Sequence, residues 1–96
     1  MRTFDTIVIG SGVIGSAAAM HLALRGRTLL LERFRFMHTN GSSHGGSRIF
    51  RHAYEDVGHV RLAVAADTAW QDLEARSGER LLFRTGGLDI GAAGSL

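Results

Sequence analysis

The chain has 96 residues, 45% of them apolar and 21% charged, with a formal net charge of +2 and with arginine at all 11 basic positions. This composition predicts one small globular unit and excludes fibrous and disordered proteins, while the scatter of arginines among acids disfavours a nucleic-acid partner. Because the chain has no cysteine and no apolar stretch near the about 20 residues of a membrane span, we expect no disulfide, no thiolate metal site and no membrane partner, in a soluble cytoplasmic protein.

The first third of the chain predicts a strand, a glycine turn, a helix and a second strand. Residues 4–9 hold a run of β-branched side chains that stops at Gly10, which is typical of a buried parallel strand. Residues 13–25 contain four alanines and predict a helix, with Gly26 as its left-handed C-terminal residue. Thr28–Leu31 is a second apolar run. Because parallel strands need such a crossover, we predict an α/β fold with a Rossmann-like βαβ unit.

The middle of the chain predicts a loop followed by a long helix. Residues 33–47 are rich in turn formers and predict the loop, and residues 48–54 are compatible with a short helix. Residues 59–77 predict the long helix, and Gly78 predicts its end. The apolar side chains of this helix recur at three- and four-residue steps and share a face: Ala63, Ala66, Trp70 and Leu73.

The last part of the chain predicts two short strands, at residues 81–83 and 88–90. We expect Trp70 to fill a contact between helix and sheet in the core. We expect the acids in and just after the long helix to form a solvated face: Asp67, Asp72, Glu74 and Glu79. The chain ends in a Gly/Ala/Ser run without a closing element, which we interpret as the end of a fragment of a larger protein.

The turn Gly10-Ser11-Gly12-Val13-Ile14-Gly15 predicts a dinucleotide site because it follows a strand and opens a helix. Gly10 permits the tight turn, Gly12 lets a diphosphate approach the backbone, and Gly15 lets the helix pack close to the strand. The free N–H groups and the positive dipole end of the helix then face the phosphates. We therefore predict that the whole turn binds the cofactor.

Glu32 ends the second strand, 22 positions after Gly10. A carboxylate there can accept hydrogen bonds from both hydroxyls of an adenosine ribose, and it would repel a 2′-phosphate, which disfavours NADP. We group the adjacent Arg33 with the cofactor-binding residues. The alternative is a structural glycine turn followed by a chance acid. FAD and NAD share the ADP moiety, so the βαβ unit leaves both open, although its position next to Met1 favours FAD.

Residues 38–54 are dense in polar side chains. Small residues there let the backbone reach a ligand, while His44, Arg48 and Arg51 supply donors and charge. If residues 48–54 are helical, the two arginines are neighbours, and an anion between them would offset their repulsion. The alternative is a solvated loop with surface arginines. The other histidines lack metal-ligand spacing, so we expect no metal.

This loop makes a family resemblance specific. It resembles the signature of the monomeric sarcosine oxidase and N-methyltryptophan oxidase family, within the amino-acid oxidase group of flavoproteins. The resemblance implies that residues 1–96 are the N-terminal part of the FAD-binding domain of a monomeric two-domain oxidoreductase. It covers nearly all of the chain and is carried by residues 4–15, residues 28–34, the runs HTNGSSHG and SRI.RHAY, the helix around Trp70, and the turn Arg84-Thr85-Gly86-Gly87-Leu88.

The resemblance also implies roles for the loop residues. Ser42 and Ser43 fall in the flavin-binding loop. His44 and Arg48 would lie beside the isoalloxazine ring as catalytic and cofactor-binding residues, and Arg51 would bind the substrate carboxylate. Reduced flavin carries negative charge near N1, which an arginine stabilises. An arginine fork binds a carboxylate through two hydrogen bonds.

The activity that the resemblance implies is oxidation of an N-methylated or secondary amino acid such as sarcosine. Hydride would pass from the amine carbon to flavin N5, water would hydrolyse the resulting imine, and dioxygen would reoxidise the flavin and form hydrogen peroxide. One alternative is a catalytically incomplete nucleotide-binding fragment. A less favoured one is an NAD-dependent dehydrogenase, which would leave residues 44–51 unexplained.

Overall fold

The computed structural model describes residues 1–94 and separates into two compact units, Met1–Arg48 and Ile49–Leu96. Within residues 1–94, no helix combines the length and the apolar character that crossing a membrane requires. The helices and strands in chain order are β1 (Thr6–Ile9), α1 (Val13–Ala23), β2 (Thr28–Leu31) and α2 (Val57–Ser77).

The first unit is the βαβ motif that the sequence predicts. Strands β1 and β2 are parallel, and their register pairs Thr6 with Thr28 and Ile9 with Leu31. Helix α1 connects the two strands and contacts both of them. Because the crossover brings the carboxyl ends of both strands to one edge of the sheet, the turn before α1 and the residues after β2 lie at the same edge. The prediction of an α/β fold is confirmed.

Small side chains bring α1 close to the sheet. Ala19 is the buried residue of this helix, at 9% exposure. Val8 faces the helix, because its Cγ1 lies 3.6 Å from the position that a Cβ on Gly15 would take. On the opposite face of the sheet, Ile7 and Ile9 are 55% and 85% exposed. The core of this unit therefore lies between α1 and one face of the sheet.

Gly26 has a different role from the predicted one. Helix α1 ends at Ala23, and its C-terminal cap is Leu24 in the right-handed conformation. The φ angle of Gly26 is not positive, so the predicted left-handed cap is wrong. A Cβ on Gly26 would lie 2.9 Å from Asp5 Oδ2, which accepts a hydrogen bond from the Arg27 N–H. A side chain here would therefore press against the Asp5 carboxylate, which would have to shift.

The second unit contains the long helix α2. Asp56 caps its start, because the Asp56 carboxylate accepts a hydrogen bond of 2.9 Å from the His59 N–H. The helix therefore begins at Val57, two residues before the predicted start at residue 59. Gly78 ends it in the left-handed conformation with φ of 72°, which confirms the predicted end.

The predicted apolar face of α2 is present, but it also carries two acids. Ala63 is buried, and Trp70 is half-buried. The described part of this unit contains no strand, so Trp70 does not fill the predicted contact with a sheet within this unit. Asp67 and Glu74 are also half-buried. The prediction that they belong to a solvated face is therefore wrong.

These two acids hold the segment that follows α2. Glu74 Oε1 accepts hydrogen bonds of 2.7 Å from both the Leu82 and the Leu81 N–H, and these bonds lower the pKa of Glu74. Asp67 binds the Arg84 guanidinium, whose hydrogen bonds lower the pKa of Asp67. Because the Glu74 side chain accepts the hydrogen bonds of the Leu81 and Leu82 amides, residues 81–83 do not form the predicted strand.

The strand predicted near the end of the chain and the short helix with which the preceding loop was compatible are both absent. Residues 88–90 form no strand, and residues 48–54 form no helix. Arg48 and Arg51 are therefore not neighbours on one helix face, which a helix over residues 48–54 would have made them. Both segments lack the backbone hydrogen bonds of a ladder or a helix.

Candidate functional site

The turn between β1 and α1 depends on a glycine. Gly10 has a φ of +99°, a backbone conformation that residues other than glycine rarely adopt. Its N–H donates a hydrogen bond of 2.8 Å to the Leu31 carbonyl at the end of β2. The turn is therefore tied to the sheet edge at the point where β2 ends.

Gly15 allows α1 to start directly against this turn. A Cβ on Gly15 would lie only 1.9 Å from the Gly10 carbonyl oxygen. No side chain fits in that space without moving the backbone. The close packing expected at this position is thus a steric requirement of the turn.

Gly12 is the N-cap of α1, and its extended backbone makes no side-chain capping bond. The Val13 N–H at the helix start donates a hydrogen bond of 3.0 Å to Ser43 Oγ. A Cβ on Gly12 would lie 3.0 Å from the same Ser43 Oγ. The loop after β2 therefore reaches the N-terminal end of α1, where amide hydrogens favour an anionic group.

Glu32 is fixed at the end of β2 by hydrogen bonds from three donors. Its Oε2 accepts from the Ser11 N–H at 2.8 Å and from the Ser11 hydroxyl at 2.7 Å, and its Oε1 accepts from the Phe34 N–H at 3.0 Å. The Glu32 side chain is 7% exposed. The backbone bonds from Phe34 and Ser11 lower the pKa of Glu32 from 4.5 to about 2, so it is an anion at neutral pH.

His38 is a member of the site that the sequence analysis missed. Its Nε2 lies 3.2 Å from Glu32 Oε1, and its ring packs edge-on against Phe34 with 4.9 Å between ring centroids. Its Nδ1 accepts a hydrogen bond of 3.0 Å from the Asn40 N–H, which places the proton of the neutral ring on Nε2. The spacing of Glu32 and His38 follows no known ligand pattern, so only the fold brings them together.

These residues surround one open cavity of about 490 Å³. The start of α1 lies at its wall together with Glu32, which gives an anion-binding end and an acceptor for hydroxyl groups. Ile14 and Gly15 line an adjoining cavity that shares Gly12 and Val13. The predicted cofactor residues that the first cavity brings together are Gly10, Ser11, Gly12, Val13, Glu32, Ser42 and Ser43.

Three other predicted cofactor residues do not line this cavity: Arg33, His44 and Arg48. The His44 ring bonds to the Gly41 carbonyl, and the Arg48 guanidinium donates to the Ser42 and Ser47 carbonyls. Both side chains thus close the loop on itself. The Arg33 guanidinium lies over the Phe34 ring, 5.4 Å from its centroid, and does not line the cavity.

Arg51 belongs to the second unit. Its guanidinium lies over the Tyr54 ring, 5.0 Å from the centroid. Within that unit Arg51 lines an open cavity together with Asp56, His59 and Asp89. The cavity therefore holds an arginine among acids and one histidine.

The sequence matches the family of FAD dependent oxidoreductases over residues 5–95. The chain belongs to this family. The predicted family resemblance is therefore confirmed, and because the family is FAD-dependent, so is the prediction of FAD rather than NAD. The cavity fits such a cofactor, since it combines the N-terminal end of α1 with a carboxylate at the end of β2.

Several members of the family are similar to this chain. The monomeric sarcosine oxidase of Streptomyces avermitilis is 46% identical over 96 residues, and the peroxisomal sarcosine oxidase of Homo sapiens is 45% identical over 89. The N-methyl-L-tryptophan oxidase of Yersinia pestis is 40% identical over 90 residues. The alignments cover 98%, 92% and 92% of this chain and 25%, 23% and 24% of the relatives. The chain thus spans about a quarter of their length. No solved structure matches it.

Proposed function

We propose that residues 1–96 are the N-terminal part of the FAD-binding domain of an oxidase that acts on N-methylated or secondary amino acids. The observation that carries this proposal is the position of Glu32 beside the start of α1, at the wall of one cavity. An ADP moiety needs both features, because its diphosphate seeks amide donors and its ribose seeks an acceptor.

The residues of the turn would hold the ADP part of FAD. The N–H groups of Val13 and Ile14 would face the diphosphate, and Gly12 would keep the approach free of side chains. Ser43 Oγ already bonds to the Val13 N–H, so its hydroxyl is placed to bind a phosphate oxygen next to that amide. Glu32 would accept from the ribose, and bound FAD would supply the acceptor for hydride.

The loop residues would serve the flavin and the substrate. His44 and Arg48 would lie beside the flavin ring, where the arginine charge stabilises negative charge on the reduced ring. Arg51 would bind the substrate carboxylate through two hydrogen bonds and orient the amine carbon. Ser42 and Ser43 would complete the loop, and Arg33 would lie near the cofactor at the end of β2.

The names of the relatives support the proposed substrate class. Proteins named sarcosine oxidase and N-methyl-L-tryptophan oxidase are 40–46% identical to this chain, and both names denote N-methylated amino acids. We therefore propose oxidation of such an amine to an imine, its hydrolysis to an aldehyde, and transfer of the electrons to dioxygen as hydrogen peroxide. Relatives named monomeric support a monomer, and a cytoplasmic location stays a prediction.

The experiment that tests this proposal uses the protein in the longest form that its gene encodes. Purified protein should show flavin absorbance and should release peroxide when sarcosine is added under air. Flavin without peroxide would favour the second candidate, a nucleotide-binding fragment without catalysis, which the coverage of about a quarter of the relatives supports. Protein without flavin that cannot be loaded with FAD would contradict the proposal.

A further inference from the structure

The guanidinium of Arg51 is held by an aromatic ring. It lies over the Tyr54 ring, 5.0 Å from the ring centroid. Among the described residues of the second unit, no carboxylate forms an ion pair with Arg51, although Asp56 and Asp89 line the same cavity. The positive charge of Arg51 is therefore available to an anionic ligand.

Stacking on a ring leaves the hydrogen-bond donors of an arginine free. A guanidinium stacks through its flat face and donates hydrogen bonds from its edge. Because the Tyr54 ring occupies the face of Arg51, the edge can still donate two parallel bonds to a carboxylate. In Arg84 of the same unit, by contrast, two nitrogens of the edge donate to Asp67. Arg51 thus presents the fork that the proposed contact with a substrate carboxylate needs.

The start of α2 supports the Tyr54 ring. This ring also packs against the His59 ring, with 5.9 Å between the ring centroids. His59 lies in the first turn of α2, where its N–H donates to the capping Asp56 carboxylate. Arg51, Tyr54 and His59 line one cavity. A ring that is held at a helix start restricts the rotation of the Arg51 side chain, which lowers the entropy that is lost when a ligand binds.

On the basis of the proposed function, in which Arg51 binds the substrate carboxylate, we propose that Tyr54 is a positioning residue for Arg51. Its ring holds the guanidinium in place and leaves the edge free for the carboxylate of an N-methylated amino acid. The ring itself takes no part in the oxidation. Loss of the ring therefore weakens substrate binding, which raises KM, and leaves kcat unchanged.

The test measures KM and kcat for sarcosine in a peroxide assay, on the flavin-loaded protein in its longest encoded form. Tyr54→Leu removes the ring but keeps an apolar side chain at a position that is 43% exposed. Its KM should rise by about three- to tenfold, while kcat stays within about twofold of the wild type. Tyr54→Phe keeps the ring and loses only the hydroxyl, so its KM should stay within about twofold of the wild type.

Two further variants separate positioning from a general effect on the fold. Phe4→Leu removes the ring under another arginine, Arg27 in the first unit, and should leave KM for sarcosine unchanged. In an Arg51→Ala background, Tyr54→Leu should cause no further rise in KM, because the ring acts through the guanidinium. A ring that merely stabilised the fold would raise KM by the same factor in both backgrounds.

Three results would overturn the proposal. One is a Tyr54→Leu protein with the wild-type KM, and another is an equal rise in KM with and without Arg51. The third is a threefold or larger rise in the KM of Tyr54→Phe, which counts even where the leucine variant does not fold. Wild-type protein that releases no peroxide from sarcosine, or Arg51→Ala with the wild-type KM, would instead contradict the proposed function, so the two failures are distinguishable.

Discussion

Replacing Gly15 by alanine tests the steric basis of the site. In most helices this change stabilises, because alanine is favoured over glycine by about 1 kcal/mol. Here the new Cβ would lie 1.9 Å from the Gly10 carbonyl oxygen, whereas a carbon and a carbonyl oxygen need about 3.3 Å. The start of α1 would have to move from the turn by more than about 1 Å.

The two effects oppose each other, and the steric one is larger. Overpacking against a well-fitted neighbour costs about 1–3 kcal/mol, and a backbone atom that cannot rotate away puts this position at the upper end. After the helix gain is subtracted, Gly15→Ala should lower the free energy of unfolding by about 2 kcal/mol. It should also weaken FAD binding, since the moved amides no longer converge on the diphosphate.

Urea unfolding and an FAD titration measure the two effects. The matched control is Gly87→Ala, because a Cβ at Gly87 would meet nothing within 4 Å and its φ is not positive. This control should unfold and bind FAD as the wild type does. A Gly15→Ala protein as stable as Gly87→Ala, with unchanged FAD affinity, would refute the reasoning.

Three other predictions follow from the contacts. Hydrogen bonds that lower the pKa of Glu32 from 4.5 to about 2 stabilise the fold fully above about pH 4.5, and this stability is lost as the pH falls toward 2. Glu32→Gln should therefore flatten the dependence of urea unfolding on pH in that window, and an unchanged slope would contradict the assignment. Arg84→Ala removes the partner of Asp67, so limited proteolysis should cut the segment after α2 faster, whereas Asp72→Asn at an exposed position should leave cleavage unchanged; equal cleavage of both variants would count against the pairing. In the longest encoded form, Arg51→Ala should raise the KM for sarcosine by about 10- to 100-fold in a peroxide assay, and an unchanged KM would exclude its role.

The βαβ unit could be predicted from the sequence because its signals are local. The run before Gly10, the alanines of α1 and the run at Thr28–Leu31 each specify one element, and chain order then specifies the crossover. The end of α2 at Gly78 is equally local. The predicted start lies two residues late because the apolar periodicity does not include the N-cap, Asp56, which directly precedes the helix.

The contacts that the sequence does not predict join residues that lie far apart along the chain. Glu74 and Asp67 are ordinary helix acids in the sequence, and only the path of the chain after α2 brings the Leu81 and Leu82 amides and Arg84 to them. His38 contacts Glu32 because the loop turns back after β2. Met37 lies in that turn with a φ of 64°, which is rare for a residue with a side chain. No sequence pattern therefore predicts the turn.

The central claim is that the start of α1 binds the diphosphate and Glu32 binds the ribose of FAD. A crystal structure of the protein with FAD tests both parts at once. We expect phosphate oxygens within hydrogen-bond distance of the Val13 or Ile14 N–H, and a ribose hydroxyl within hydrogen-bond distance of a Glu32 carboxylate oxygen. FAD bound elsewhere, or an adenosine ribose that makes no contact with Glu32, would contradict the account.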